Sequence, residues 1–271
     1  MAKVLVVTSG KGGVGKTTST AALGAALAQQ GGKVVVVDFD VGLRNLDLIM
    51  GAERRVVFDL INVVQGVANL SQALIRDKRL ENLWLLPASQ TRDKDALTDE
   101  GVRGVITDLR ARFDWVLCDS PAGIERGATL AMRYADEAVI VTNPEVSSVR
   151  DSDRIIGMLD SKTVKAEKGE QVRKHVLITR YDTARATRGE MLSIDDILEI
   201  LACPLLGIIP ESQDVLRASN VGSPVTLNNA ASVAARAYTD AARRLMGETV
   251  AMMVPVERKR FIERLLGRRA A

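Results

Sequence analysis

Apolar positions along the chain fall into two alternating patterns. The short runs KVLVVT at 3–8, KVVVVD at 33–38, WVLCD at 115–119, EAVIVT at 137–142, HVLITRY at 175–181 and LLGIIP at 205–210 are apolar almost throughout. They lack the every-other-residue polarity of a half-exposed strand, and so predict strands buried on both faces, as in a parallel sheet covered by helices. Between them, stretches at 17–30, 102–112, 129–134, 147–159, 194–201 and 231–246 carry helical patterns. Strand and helix in alternation predict an α/β fold with a doubly wound, mostly parallel sheet. No internal repeat and no linker rich in Pro, Gly or Ser interrupts the chain before residue 250, so residues 1–247 are expected to form one domain.

After Met246 the periodicity stops, and GETVAMMVPVE, with Pro255, reads as a tether at 248–255. The last stretch, 256–271, is a different element. On a helical wheel Phe261, Ile262, Leu265 and Leu266 share one arc, while Lys259, Arg260, Arg264 and Arg268 take its flanks or the far side. That is the pattern of an amphipathic helix lying in a membrane interface, with Arg258 and Arg269 placed to snorkel toward headgroups. A C-terminal helix docked on its own domain is the alternative.

Composition narrows the classes. With 271 residues, 46% hydrophobic and 26% charged, the chain can bury a full core. Aromatic residues are only 3%, too few for a base-stacking platform, and no specific nucleic acid is expected. Two cysteines and one histidine cannot assemble a zinc site, and they fit a reducing compartment. No apolar run is long enough to span a bilayer and no signal peptide precedes the first strand, so the expected location is cytoplasmic, peripheral to the membrane through the tail. Charge agrees: residues 257–269 hold six basic residues against Glu257 and Glu263, a local +4 that leaves −1 for the rest of a chain of net charge +3. A basic tail on a near-neutral body suggests an acidic surface as its target, such as anionic lipids.

Gly10-Lys11-Gly12-Gly13-Val14-Gly15-Lys16-Thr17 satisfies G-x-x-x-x-G-K-[ST] between a predicted strand and a predicted helix. Glycines let backbone N–H groups approach phosphate oxygens, Lys16 reaches the β/γ-phosphates, and the Thr17 hydroxyl, with Thr18 beside it, is placed to ligate Mg²⁺. Asp119, ending the strand WVLCD, fits the acidic element that holds the metal, and Ser120-Pro121-Ala122-Gly123 after it reads as a switch loop. Asp40 follows a buried strand next to Gly42, where a carboxylate reaches toward a γ-phosphate; a solvated turn residue is the alternative. The guanine-reading NKxD motif is absent, which favours ATP. Arg180 and Pro210, after the two later strands, either line the base or are ordinary loop residues.

The second lysine of the loop, Lys11 in KGGVGKTT, resembles the signature lysine of the deviant Walker A ATPases, the ParA/MinD family of P-loop proteins. VDFDVGLRNLDLIMG at 37–51, LPASQTRDKDALT at 86–98, CDSPAGIE at 118–125, TNPEVSSVRDSDRI at 142–155 and IIPESQDVLRASN at 208–220 are similar to the MinD branch, so the likeness runs over essentially the whole chain. It implies an ATP-dependent homodimer in which Lys11 crosses to the nucleotide of the other subunit. It also implies Lys16 and Thr17 on phosphate and Mg²⁺, Asp119 as the Walker B carboxylate, Asp40 positioning the attacking water and Asp38 supporting that loop. The branch regulates cell division: it binds the inner membrane through its tail, recruits a MinC-like division inhibitor and is released by a MinE-like activator. Residues 146–153 match the surface where those partners bind, making Ser147, Arg150, Asp151 and Asp153 candidate contacts; Ser147, Ser148 and Asp151 equally have the composition of a helix N-cap. Glu263, and GRRAA at the end, depart from the branch's tail pattern.

The rival is a ParA-like DNA-partitioning ATPase, which needs a basic body to contact phosphates. The −1 body disfavours it, as does VDFDVGLRN where that branch tends to carry D-P-Q.

Overall fold

A computed structural model describes residues 2–90 and 96–254. The helix predicted for 256–271, with Phe261, Ile262, Leu265 and Leu266, lies outside the described residues.

Strands β1 (Lys3–Thr8), β2 (Val34–Asp38), β3 (Ile75–Arg76), β4 (Leu83–Leu86), β5 (Trp115–Asp119), β6 (Glu137–Thr142), β7 (Arg173–Tyr181) and β8 (Leu205–Pro210) form one sheet. Its order is β3-β4-β2-β5-β1-β6-β7-β8. Every pairing is parallel except β3 with β4, so the expected doubly wound, mostly parallel fold is found. Both faces are covered, which explains the missing alternation. Leu5, Val7, Val34 and Val36 point into one core while Val4, Val6, Val35 and Val37 point into another.

The helix Lys16–Gln29 is apolar nearly all round because it lies between the sheet and the helix Val233–Leu245. Gly24 is required there: a Cβ would sit 2.6 Å from the Val36 side chain. The helix predicted from 102 begins at Asp99, capped by the Thr98 hydroxyl, which accepts from Gly101 N–H at 3.1 Å. Among the described residues no helix is long and apolar enough to cross a membrane.

The described part of the predicted tether, 248–254, lies against the body. Glu248 pairs with Arg243 at 2.7 Å, and Met252 packs half-buried against the core cluster holding Ile197 and Ile208.

In this topology the carboxyl ends of β1, β2 and β5 meet at one edge, next to the point where strand order reverses around β1, the usual crevice for ligands in such sheets. The opposite edge serves stability. There the buried Glu137 carboxylate takes Arg173 Nη1 at 2.9 Å, Lys3 Nζ at 3.3 Å and lies 3.3 Å from His175 Nε2. Burial pushes this carboxyl up, but the His175 hydrogen bond and the Lys3 and Arg173 charges outweigh it and hold Glu137 below the ordinary 4.5. A depressed acid stabilises the fold above its unfolded pKa, and that contribution is lost as pH falls through the lower folded value. Glu137→Gln is therefore expected to cost about 1–3 kcal/mol at neutral pH. The difference from the parent chain should shrink on acidification, as urea unfolding across pH will report; a pH-independent difference would remove the ion cluster as its cause.

Candidate nucleotide site

Thr8, at the end of β1, leads into the loop at 9–15, and the helix Lys16–Gln29 opens directly from it. Gly13 (φ 77°) and Gly15 (φ 96°) are left-handed, a conformation in which side-chain-bearing residues are strained. Gly15 is the helix N-cap. No acidic side chain neutralises the first turn, so the amide-rich helix end keeps its positive potential for an anion.

Gly10 is constrained differently. A Cβ there would lie 2.2 Å from the Asp151 carbonyl oxygen, so the loop's first glycine packs directly on the backbone of the helix Val146–Leu159.

Lys16 is only 8% exposed. Burial lowers its pKa against the opposing pull of Asp119 and Asp40. Asp119 is buried at the end of β5 and accepts a hydrogen bond from Thr20 Oγ1 at 2.9 Å and another from Thr17. Burial pushes it up to about 7 although both threonines and Lys16 favour the charged form. Asp38 stands beside it in register on β2. Burial and the Asp119 charge raise its pKa well above the ordinary range. Asp38 also shapes the following loop: it accepts from the backbone N–H of Asp40 at 2.8 Å and of Leu46 at 3.2 Å, clamping both ends of the turn that presents Asp40.

Two adjacent strand-end carboxylates beside a threonine hydroxyl fit a hard divalent cation, which relieves their mutual repulsion and keeps part of its water shell.

Lys16, Thr17 and Asp40 border a cleft of about 430 Å³ lined also by Gly12, Gly13 and Arg180, among others, with the buried Asp119 linked to it through the Thr17 hydroxyl. A second cavity of about 260 Å³ shares Gly15, Thr18 and Arg180 with it and has apolar walls in Val14, Pro210 and Leu216. A cleft on the glycine loop, sharing residues with a second pocket that has both apolar and polar walls, suits a phosphate chain joined to a flat base. Arg180 sits between the two in a left-handed conformation (φ 54°), uncommon outside glycine and concentrated at functional sites.

Most of the predicted residues thus meet in one place. Lys11 points out of the cleft: its Nζ donates to Glu145 Oε2 at 2.8 Å and to Ser147 Oγ at 3.1 Å. Ser147, Arg150 and Asp153 are exposed on the helix beside it, with Asp151 half-buried behind Gly10. The N-cap reading of Ser147 is corrected. The helix begins at Val146 with Glu145 as its cap residue, and Ser148 turns back to accept from Asn143 N–H at 3.2 Å, leaving Ser147 to Lys11. The sequence did not point to Glu145 or Thr20. Both act on residues about a hundred or more positions away, and only the glutamate's place beside the candidate partner stretch marks it.

Comparison with known proteins defines the class. Residues 5–225 match the family model of the CobQ/CobB/MinD/ParA nucleotide binding domain. The chain is 62% identical over 270 residues to the septum site-determining protein MinD of Escherichia coli K12, covering 98% of this chain and 100% of that one. Among solved structures, the MinC:MinD cell division protein complex of Aquifex aeolicus matches with TM-score 0.81 and 43% identity, covering 93% and 99%. MinD of Pyrococcus horikoshii, complexed with Mg-ADP, matches with TM-score 0.79 and 30% identity, covering 90% and 96%. The chain belongs to the MinD family of septum site-determining P-loop ATPases.

Proposed function

We propose that this protein is a membrane-cycling ATPase. It dimerises on Mg²⁺-ATP, inserts residues 256–271 of both subunits into the cytoplasmic face of the inner membrane, and recruits a MinC-like inhibitor that restricts where the septum forms. A MinE-like activator ends each cycle by stimulating hydrolysis. The observation that carries the reading is the surface around the cleft. Leu43, Leu48, Ile124 and Val146 are each more than half exposed, and all lie within a few residues of cleft-lining or Lys11-contacting positions. Exposed apolar side chains ringing a polar site favour a protein partner there, and a second copy across the glycine loop covers them while taking Lys11 from its surface pair. The exposed positions Ser147, Arg150 and Asp153 flank the same rim, which supports recruitment of a partner next to the dimer seam.

In the site, Lys16 binds phosphate oxygens, Thr17 and Asp119 hold the cation directly or through water, and Arg180 and Pro210 border the base. Bound Mg²⁺ supplies charge neutralisation for phosphoryl transfer. Asp40, held by the Asp38 clamp, orients the attacking water.

Asp40→Ala is accordingly expected to bind ATP, to lose about 10²–10⁴-fold in hydrolysis and to accumulate on membranes. Single-turnover hydrolysis measures this directly, and an unimpaired rate reassigns water positioning to another group.

One tail binds marginally. Each cation contributes about 1 kcal/mol at an anionic surface, whereas pairing two tails on one dimer raises avidity by roughly 10²–10⁴. ATP thereby controls membrane residence. The reading is tested by deleting residues 256–271: liposome co-sedimentation with ATP should vanish while light scattering still shows an ATP-dependent dimer. Retained co-sedimentation would move the membrane site onto the body.

A further inference from the structure

Besides the nucleotide cleft, the body carries a groove of about 450 Å³ between β8 and the helix Val233–Leu245. Its walls include Ile208, Val233 and Ala237, with Asp214 and Asp240 at the polar positions and Arg236 beside them. The chain itself runs into it. Arg244 donates through Nε to the Val250 carbonyl at 3.1 Å, through Nη2 to Ala251 at 2.6 Å and through Nη1 to Leu206 on β8 at 2.8 Å. This strap fastens the outgoing backbone to the edge strand, and the next three residues, Met252, Met253 and Val254, line the groove. Val233, Met253 and Val254 remain exposed.

We propose that residues 255–271 of the same chain dock back into this groove, so that the arc of Phe261, Ile262, Leu265 and Leu266 is covered by the body when no membrane holds it. The inference rests on the reading of that arc as the membrane element. Three observations select this occupant. The strapped backbone delivers it at the groove mouth, where its effective concentration is in the millimolar range, roughly. As a helix it reaches about 25 Å, ample for a groove that begins at its own root. Its apolar arc matches the wall of Ile208, Val233 and Ala237, while the polar lining balances Asp214 and Asp240 against Arg236 and Arg244 and so leaves no net positive charge to repel the basic flanks.

The groove also shares its walls with the base pocket. On β8 Ile208 faces the groove and Ile209 the pocket; on the helix Gln213–Asn220 Asp214 faces the groove and Leu216 the pocket; on Val233–Leu245 Ala237 and Asp240 face the groove and Tyr238 the pocket. A nucleotide that repacks the pocket shifts the same three elements, so docking and nucleotide binding are coupled. Since groove and bilayer compete for one apolar arc, membrane affinity falls in proportion to the undocked fraction.

Limited trypsin digestion of the full chain without lipid tests this, following cleavage after Arg258 and Lys259 by mass spectrometry. Cleavage tracks the undocked population, so a tail docked nine-tenths of the time is cut about tenfold more slowly. The nucleotide-free parent should show that protection. Val233→Lys with Asp240→Lys should abolish it, as should Leu265→Asp, which leaves the body untouched, and ATP should raise the parent rate toward theirs. Equal rates in the parent and Leu265→Asp would overturn the proposal, and protection that grows with protein concentration would place the tail in a second copy's groove instead. The membrane reading fails separately. A protected tail whose deletion leaves liposome binding intact counts against that reading alone, while a tail needed for liposomes but never protected counts against docking alone.

Discussion

Lys16→Ala is expected to weaken ATP binding by at least about a hundredfold, equivalent to some 2.7 kcal/mol, and with it to abolish dimerisation and membrane attachment. The lysine is buried at the mouth of the helix Lys16–Gln29 between Asp119 and Asp40, and burial already disfavours its charge. Such an amine is held in place for a ligand whose negative charge restores what water would have supplied, through hydrogen bonds stronger than neutral ones. Removing it also leaves Asp38 and Asp119 adjacent with no nearby ammonium, which raises the repulsion at the site where a second anion must bind. Isothermal titration with a non-hydrolysed ATP analogue measures the loss, with circular dichroism to verify that the fold persists. Binding within threefold or so of the parent would move the phosphate site elsewhere.

Lys11→Ala is expected to behave differently: near-parental nucleotide binding in the monomer, no ATP-dependent dimer, and hydrolysis reduced by about 10³–10⁵-fold, the range for a cation supplied in trans. The geometry separates the two lysines. Lys11 faces away from the cleft, paired with Glu145 and Ser147 on the rim. Both members of the ion pair are substantially exposed, so the pair contributes only about 0–1 kcal/mol, little enough for Lys11 to leave it when a second nucleotide is presented. Loss of the pair should therefore barely alter stability. Light scattering with ATP decides the matter: a variant that dimerises like the parent would show that Lys11 has no role across the interface.

Six strands were legible as uninterrupted apolar runs, because burial on both faces leaves no polar positions to disguise them. β3 and β4 were not. LWLL at 83–86 is too short to stand out, and the two residues of β3 exist as a strand only through antiparallel pairing with it. The helix from Asp99 starts earlier than its first apolar residue because the Thr98 cap, not burial, sets the boundary. In the site, the phosphate-binding residues could be read from a local motif. The two-cavity arrangement around Arg180 could not, since its walls include β7, β8 and the helices Gln213–Asn220 and Val233–Leu245. Lys11 was singled out by its position in the loop, yet its contact with Glu145 spans 134 residues and left no spacing to detect. The groove beside the chain exit likewise has no sequence signature, being formed by ordinary helical positions.

Dimerisation, nucleotide control and the membrane target meet in one measurement: co-sedimentation of the full chain with anionic liposomes in ATP, in ADP and without nucleotide. Sedimentation with ATP alone, weakening as salt screens the basic tail, is the expected result; equal sedimentation in all three conditions would contradict ATP-controlled attachment.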